Sequence, residues 1–220
     1  MVTVLREPGV DARCPGIRTG ILHLEAFRNT APVDALEIRY AAVIDAVVAA
    51  WTGKTAADDP VLSAVRRMYH AFGMDPTRYR PSPERLVRRA VQGKDVPRIS
   101  PAVDLCNLVS LSTRVPLGLY DAARIAGPVT VRVGGPEERY DALNGESVGA
   151  AGRLIVADTL GPIGGPTYDS VRTRVEPDTT SLLVLAWFPP EVTAGAEVLD
   201  AYRVPALTWC GARVVQQAIL

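Results

Sequence analysis

Two stretches of the chain bring together residue types that can bind and react. In the first, Ser100-Pro101 opens a helix: serine can cap free backbone N–H groups and proline fits the first helical position. The helix is largely apolar, yet Asp104 and Asn107 lie three residues apart and so share one face. A polar pair on such a helix must find partners or it costs stability. Pro116-Leu117-Gly118-Leu119-Tyr120-Asp121 then reads as a turn that delivers small, apolar and polar groups to one place, with Tyr120 free either to line a pocket or to pack.

The second stretch runs from Asp158 to Thr173 and holds Gly161, Gly164, Gly165, Pro162 and Pro166. Glycines let main-chain N–H groups approach a ligand closely, and such groups bind a carboxylate or a developing oxyanion. Thr167, Asp169, Ser170, Arg172 and Thr173 add side chains able to hold an amine, a hydroxyl or a phosphate. The plainer alternative is a surface connector in which Asp169 and Arg172 stabilise their own turn.

Charge is uneven. From Arg66 to Arg98 nine basic residues face three acids, a local balance of +6 in a chain of zero net charge. A helix predicted from Ser82-Pro83 to Gly93 sorts them, with Leu86, Val87, Ala90 and Val91 on one face and Arg85, Arg88 and Arg89 on the other. That face is either a solvated, ion-paired surface or one that contacts phosphates, for which Arg85, Arg88, Arg89 and Lys94 are the candidates.

Several chemistries lack their residues. Two histidines, His23 and His70, lie outside both stretches and read as structural, which leaves no Ser-His-Asp or Cys-His set and argues against a histidine-based zinc site. The three cysteines are far apart, without metal-type spacing, as expected of reduced thiols; Cys106 reads as a small buried residue rather than a nucleophile. Gly53-Lys54-Thr55 ends like a phosphate-binding loop, but Val48 stands where that motif needs glycine. No cofactor is expected. No apolar run approaches a bilayer span and the first residues are no signal peptide, so the expectation is a cytoplasmic protein with no membrane partner.

These stretches need a scaffold. Short strands are predicted over Val2–Leu5 and Ile21–Ala26, and helices over Val33–Trp51 and Pro60–Phe72, the first with an apolar stripe of Leu36, Tyr40, Val43, Ile44, Val47 and Trp51. Val129–Val133 and Arg153–Ala157 read as strands. Ser181–Trp187 is apolar almost throughout and so is expected to be central and covered on both faces. Pro205–Leu220 reads as a C-terminal helix. Strands and helices do not alternate strictly, which points to α+β with a mixed or antiparallel sheet.

Taken together, Arg80-Pro81-Ser82-Pro83-Glu84-Arg85-Leu86-Val87-Arg88-Arg89, Pro97-Arg98-Ile99-Ser100, Val103-Asp104-Leu105-Cys106-Asn107, Pro116 to Asp121, Val156-Ala157-Asp158, Gly165 to Thr173 and Asp178 to Leu183 resemble the B3/B4 module of the phenylalanyl-tRNA synthetase β subunit, and proteins made of that module alone. The resemblance implies a sheet and helices enclosing a central pocket in residues 75–220, with residues 1–74 as an α/β extension packed on that core. It implies tRNA as the partner and hydrolysis of a mischarged aminoacyl ester in trans, or else a binding module for tRNA or an amino acid that has lost catalysis. Asn107 stands at the module's pocket asparagine. Arg98, Gly118, Tyr120, Gly164, Gly165, Thr167, Asp169, Ser170, Arg172 and Thr173 are the further substrate-binding candidates; Asn107, Asp169 and Thr167 are the catalytic ones. Gly118 replaces a histidine of the synthetase, and Pro166-Thr167 follows Gly164-Gly165 where the synthetase has glutamate.

Overall fold

In the computed structural model, which describes residues 1–30 and 33–220, the strand expected to be central is Leu182–Phe188, and all of its residues are buried. In chain order the elements are β1 (Val4–Arg6), α1 (Pro8–Arg13), β2 (Arg18–Glu25), α2 (Asp34–Trp51), α3 (Pro60–Ala71), α4 (Ser82–Val91), α5 (Pro101–Thr113), β3 (Leu117–Asp121), β4 (Val129–Val133), β5 (Arg139–Asp141), β6 (Ser147–Gly149), β7 (Leu154–Asp158), β8 (Gly161–Gly164), β9 (Leu182–Phe188), α6 (Gly195–Cys210) and β10 (Arg213–Ile219).

Two four-stranded sheets form. One is antiparallel in the order β10-β2-β9-β3; the other runs β1-β4-β7-β8, with β1 parallel to β4 and the rest antiparallel, and β5-β6 is a separate hairpin. The alternation along β9 explains the layering, because successive side chains point to opposite faces. Leu182, Val184, Ala186 and Phe188 join a core built with α2, α4, α5 and α6. Leu183, Leu185 and Trp187 join a second core with Val129 and Val131 of β4, Val156 of β7, Ile163 of β8 and Val65 and Tyr69 of α3. The order of layers is therefore helices, antiparallel sheet, mixed sheet, an α+β architecture. No helix among the described residues is long and apolar enough to cross a membrane.

Four local expectations are corrected. The stretch expected to be a turn forms the edge strand Leu117–Asp121, because Leu117 to Asp121 pair in register with Ala186 to Leu182 of β9. The C-terminal helix is displaced: α6 spans Gly195–Cys210 with Pro205 inside it, Gly211 ends it in the left-handed conformation, and Arg213–Ile219 pairs with β2 as a strand. Ser100 occupies the N-cap position of α5 but makes no side-chain cap; the Asn29 side chain accepts the Ala102 N–H instead, at 3.0 Å. Helix α4 starts at Ser82 itself, with Pro81 as its N-cap. Between β1 and β2 the chain forms the short helix α1, with Pro8 in its first turn.

Since β9 contributes to both cores, Leu185→Ala is expected to lower stability by about 2–5 kcal/mol. Leu160→Ala, at a position that is 72% exposed, should stay within about 0.5 kcal/mol of wild type. Guanidinium unfolding of both variants measures the contrast.

Candidate functional site

The two chemistry-bearing stretches meet. A cleft of about 440 Å³ is lined by Val103, Cys106, Asn107 and Ser110 of α5, by Leu117 and Leu119 of β3, and by Gly165, Pro166, Thr167, Tyr168 and Asp169 of the loop after β8. Arg85 of α4 and Arg174 stand among its lining residues, and both are exposed. The cleft size is within the usual range for small-molecule sites of about 300–1,000 Å³.

Each wall is fixed from behind. Helix α5 is held by Asn29 at its start and by the buried Tyr202 hydroxyl, which donates to Ala102 O at 3.0 Å. The loop is pinned by the buried Tyr69 hydroxyl, which donates to Pro166 O at 2.7 Å, and by the Tyr140 hydroxyl, which donates to Tyr168 O at 3.2 Å. Gly165 N–H donates to Tyr168 O at 3.0 Å, closing a tight hairpin-like turn. Gly164 has φ +155°, and a Cβ there would lie 2.9 Å from Asp169 Oδ1, so the turn requires glycine.

The polar pair on α5 divides. Asp104 is spent on structure: its carboxylate accepts the Ile99 N–H at 2.8 Å and the Arg98 Nε–H at 3.1 Å. Asn107, which lines the cleft, makes no side-chain hydrogen bond of good geometry among the described residues; its polar neighbour is the buried Tyr40 hydroxyl, whose pKa burial raises and the Asn107 amide pulls down. The backbone N–H groups of Thr167 and Tyr168 likewise donate to no backbone carbonyl among the described residues. An uncommitted amide and two uncommitted N–H groups thus belong to residues of one largely apolar cleft.

Asp169 is the carboxylate among the described lining residues. Its Oδ2 accepts the Leu119 N–H at 3.3 Å, while Oδ1 is buried without a partner. The Tyr120 hydroxyl is also buried and unpartnered, and lies 3.0 Å from the same Gly164 Cβ position, so phenol and carboxyl sit side by side without the alignment of a formed hydrogen bond. Burial pushes the Asp169 carboxyl up to about 7, against the opposing pull of the Leu119 N–H and the Tyr120 hydroxyl. Burial, and next the Asp169 charge, raise the Cys106 thiol as well, which keeps it protonated and a poor nucleophile.

The remaining sequence candidates lie elsewhere. Gly118 faces away from the cleft between Leu117 and Leu119, beneath Tyr120: a Cβ there would come within 2.4 Å of the phenol oxygen. Arg172 clamps Asp158 through two hydrogen bonds of 2.8 and 2.7 Å. The Ser170 hydroxyl accepts the Arg172 N–H, and Thr173 is fully buried with its hydroxyl unpartnered. Arg98 pairs with Glu37 and Asp104 and lies 4.0 Å over the Tyr40 ring. Of the basic candidates, Arg85, Arg88, Arg89 and Lys94 are exposed and form no ion pair among the described residues, whereas Arg66 and Arg80 share Glu84 and Arg67 pairs with Glu191. Only Arg85 of those four reaches the cleft.

Asn144 and Arg174 line the cleft without having been singled out. Asn144-Gly145 between the short strands β5 and β6 is a hairpin signal that could have marked the first; nothing in the pattern around Arg174 marks it. At the other end of the antiparallel sheet His23 Nε2 lies 3.1 Å from Ser181 Oγ. Its Nδ1 is buried and unpartnered, so no carboxylate orients the ring as a triad requires.

Comparison with known proteins gives this arrangement a context. A family model described as the B3/4 domain matches residues 64–199. The phenylalanine–tRNA ligase β subunit of Dechloromonas aromatica is 31% identical over 118 residues, covering 52% of this chain and 15% of that subunit. That of Nocardia farcinica is 35% identical over 121 residues, covering 53% and 14%. The chain thus spans about 15% of the length of the curated relatives it matches. An N-terminal fragment of the phenylalanyl-tRNA synthetase β subunit from Pyrococcus horikoshii superposes over 99% of this chain and 54% of its own, with a TM-score of 0.50 at 14% sequence identity, a likeness of fold.

The position of Asp169 makes stability depend on pH. Folding raises its pKa from 3.8 to about 7, so the folded chain holds this proton more tightly than the unfolded one. That contribution is complete below about pH 4 and is lost as pH rises through about 7. Asp169→Asn keeps the shape and cannot titrate. In urea melts it should gain stability relative to wild type between about pH 5 and about pH 8. A difference that stays constant across this window would mean that the carboxyl is already ionised at the acid end.

Proposed function

The chain belongs to the B3/4 domain family, and on that premise we propose that its cleft hydrolyses the ester between a mismatched amino acid and the 3′ end of a tRNA, acting in trans on a substrate charged elsewhere. One observation carries this reading: the uncommitted Asn107 amide and the free N–H groups of Thr167 and Tyr168 belong to a single cleft with an apolar wall of Val103, Leu117 and Leu119. The apolar wall receives the amino-acid side chain, and Asn107 reads a polar atom on it or holds the attacking water. The Thr167 and Tyr168 N–H groups serve the acyl oxygen as negative charge builds on it. Water adds to the acyl carbon, the acyl C–O bond breaks, and the proton lost by the water is relayed through the neighbouring ribose hydroxyl, which passes its own proton to the departing ribose oxygen. Arg85 and Arg174 meet the phosphates that lead into the cleft.

Asp169 supports a second reading. One of its oxygens is taken by Leu119 and the other is buried beside Tyr120, so no lining carboxylate is free to act as a base. That favours a module that binds the aminoacylated end without cleaving it.

A panel of misacylated tRNAs separates the two. With the protein in excess, hydrolysis of at least one species well above its spontaneous rate is expected; loss of every ester at the background rate leaves the binding module alone. For the species hydrolysed, Asn107→Ala should lower kcat/KM by about 10- to 100-fold, the size of one lost hydrogen bond in a desolvated site. Arg85→Ala should raise KM at unchanged kcat, by an amount that shrinks with added salt. If Arg85→Ala changes kcat instead, the arginine acts on the reacting atoms rather than on the RNA.

A further inference from the structure

A second cavity, of about 530 Å³, lies on the other flank of α4, and the proposed chemistry leaves it unused. Its walls come from the end of α2, the short segment after it, and α4. Four cations line it, Lys54, Arg66, Arg80 and Arg88, against one carboxylate, Glu84. Arg66 and Arg80 both pair with Glu84, which is buried and so fixes their positions. Lys54 and Arg88 are exposed and have no ion pair among the described residues. Trp51, Ala56 and Val87 supply an apolar floor.

Lys54 and Thr55 belong to the Gly53-Lys54-Thr55 sequence that looked like the end of a phosphate loop. It is not one: here the helix precedes the glycine, which has φ +78°, instead of following it. The lysine is nevertheless delivered into a cavity with a net charge of +3, counted as four cations less one carboxylate.

Two oriented arginines, two unpaired cations and an apolar floor suit a phosphodiester with its sugar and base. We propose that this cavity binds a nucleotide of the single-stranded RNA that precedes the aminoacylated end. The inference rests on the reading of the first cleft, and α4 is the link. Arg85 lines the first cleft and Arg88 the second. The two are three residues apart, about 4.5 Å of rise along the helix. A strand whose last nucleotide enters the first cleft therefore crosses α4 and lays an upstream phosphate between Arg88 and Lys54. The cavity then acts as a register clamp and requires more RNA than the ester itself.

The test uses the full chain and a double variant, Lys54→Glu with Gln92→Glu, which places two carboxylates in the second cavity and alters none of the groups assigned to the first cleft. A short fluorescein-labelled single-stranded RNA ending in CCA reports binding, and an aminoacyl ester of adenosine alone reports the first cleft. The variant should bind the RNA about tenfold or more weakly. Its slope of log affinity against log salt should be lower by about one, as expected for a lost phosphate contact. It should handle the adenosine ester as wild type does. RNA affinity within twofold of wild type with an unchanged slope would overturn the clamp. So would a phosphoserine peptide that wild type binds more tightly than the RNA and the variant loses. If wild type neither binds nor hydrolyses the adenosine ester, the reading of the first cleft fails; the RNA comparison still decides the second cavity.

Discussion

Strand β9 has no residue in contact with water, and the rest of the architecture answers to that constraint. A strand buried on both faces needs two covers, and the chain supplies helices on one side and a second sheet on the other. The sheet containing β9 still has edges, and β3 is one of them. The helical cover (through α5) and the mixed-sheet cover (through the loop after β8) both extend to this edge, and the cleft lies between them. An edge strand presents backbone groups that need partners, and the Leu119 N–H finds its partner in the Asp169 carboxylate. The carboxyl that gives the cleft its polarity is therefore also a cap on this sheet edge. Its raised pKa follows from that buried position.

What could be read in the sequence was what local periodicity determines. The apolar run of β9 and the stripe of α2 are properties of contiguous residues, and both elements stand where the pattern puts them. The misread segments are those settled by distant partners. Pro116 and Gly118 favour a turn in isolation, but pairing with β9 makes the segment a strand. The C-terminal residues are extended because β2 offers an edge to pair with, which no local pattern shows. Ser100 looks like a cap, yet Asn29 does that work from the far side of the chain. At the site, Asn107, Gly165, Thr167 and Asp169 were visible as unusual residues in their own segments. Arg172 and Arg98 looked equally reactive, and only the three-dimensional partners, Asp158 and Glu37, reveal them as structural.

The basic segment shows the same limit in electrostatic form. Composition counts a local excess of +6 but cannot separate charges that hold the fold from charges that are free. Glu84 is the dividing device: buried on α4, it draws Arg66 from α3 and Arg80 from the preceding loop onto one carboxylate. A buried acid with two guanidinium partners fixes helix against helix, because leaving either charge unpaired there would be costly. Arg85, Arg88 and Arg89 are spaced so that they fall on the outer face of the same helix. One short helix thus has an inner face that locks the scaffold and an outer face with a charge surplus available to a polyanion.

Behind the cleft, Gly118, Tyr120, Gly164 and Asp169 act as one packed unit. The Tyr120 ring occupies the space that a side chain on residue 118 would need, and Gly164 leaves room for both the phenol and the carboxyl. Tyr120 Oη and Asp169 Oδ1 have no other polar partner, so the unit is best satisfied when one proton lies between them. The Tyr120 phenol supplies that proton, since burial, and next the Asp169 charge, raise its pKa and keep it protonated. With glycine at position 118, this chain packs the Tyr120 phenol behind the wall, and Leu117 and Leu119 line the cleft. On the proposed reading, discrimination by such a wall comes from shape and apolar contact, and hydrogen-bond recognition is left to Asn107 and the backbone of the loop. A single missing methylene is worth only about 1–3 kcal/mol to an apolar wall, whereas an unpaired polar group at a hydrogen-bonding site is discriminated far more strongly. On the reading proposed above, the amide of Asn107, carried on a helix fixed from behind and with no hydrogen bond of good geometry among the described residues, is the group on which selectivity in this cleft turns.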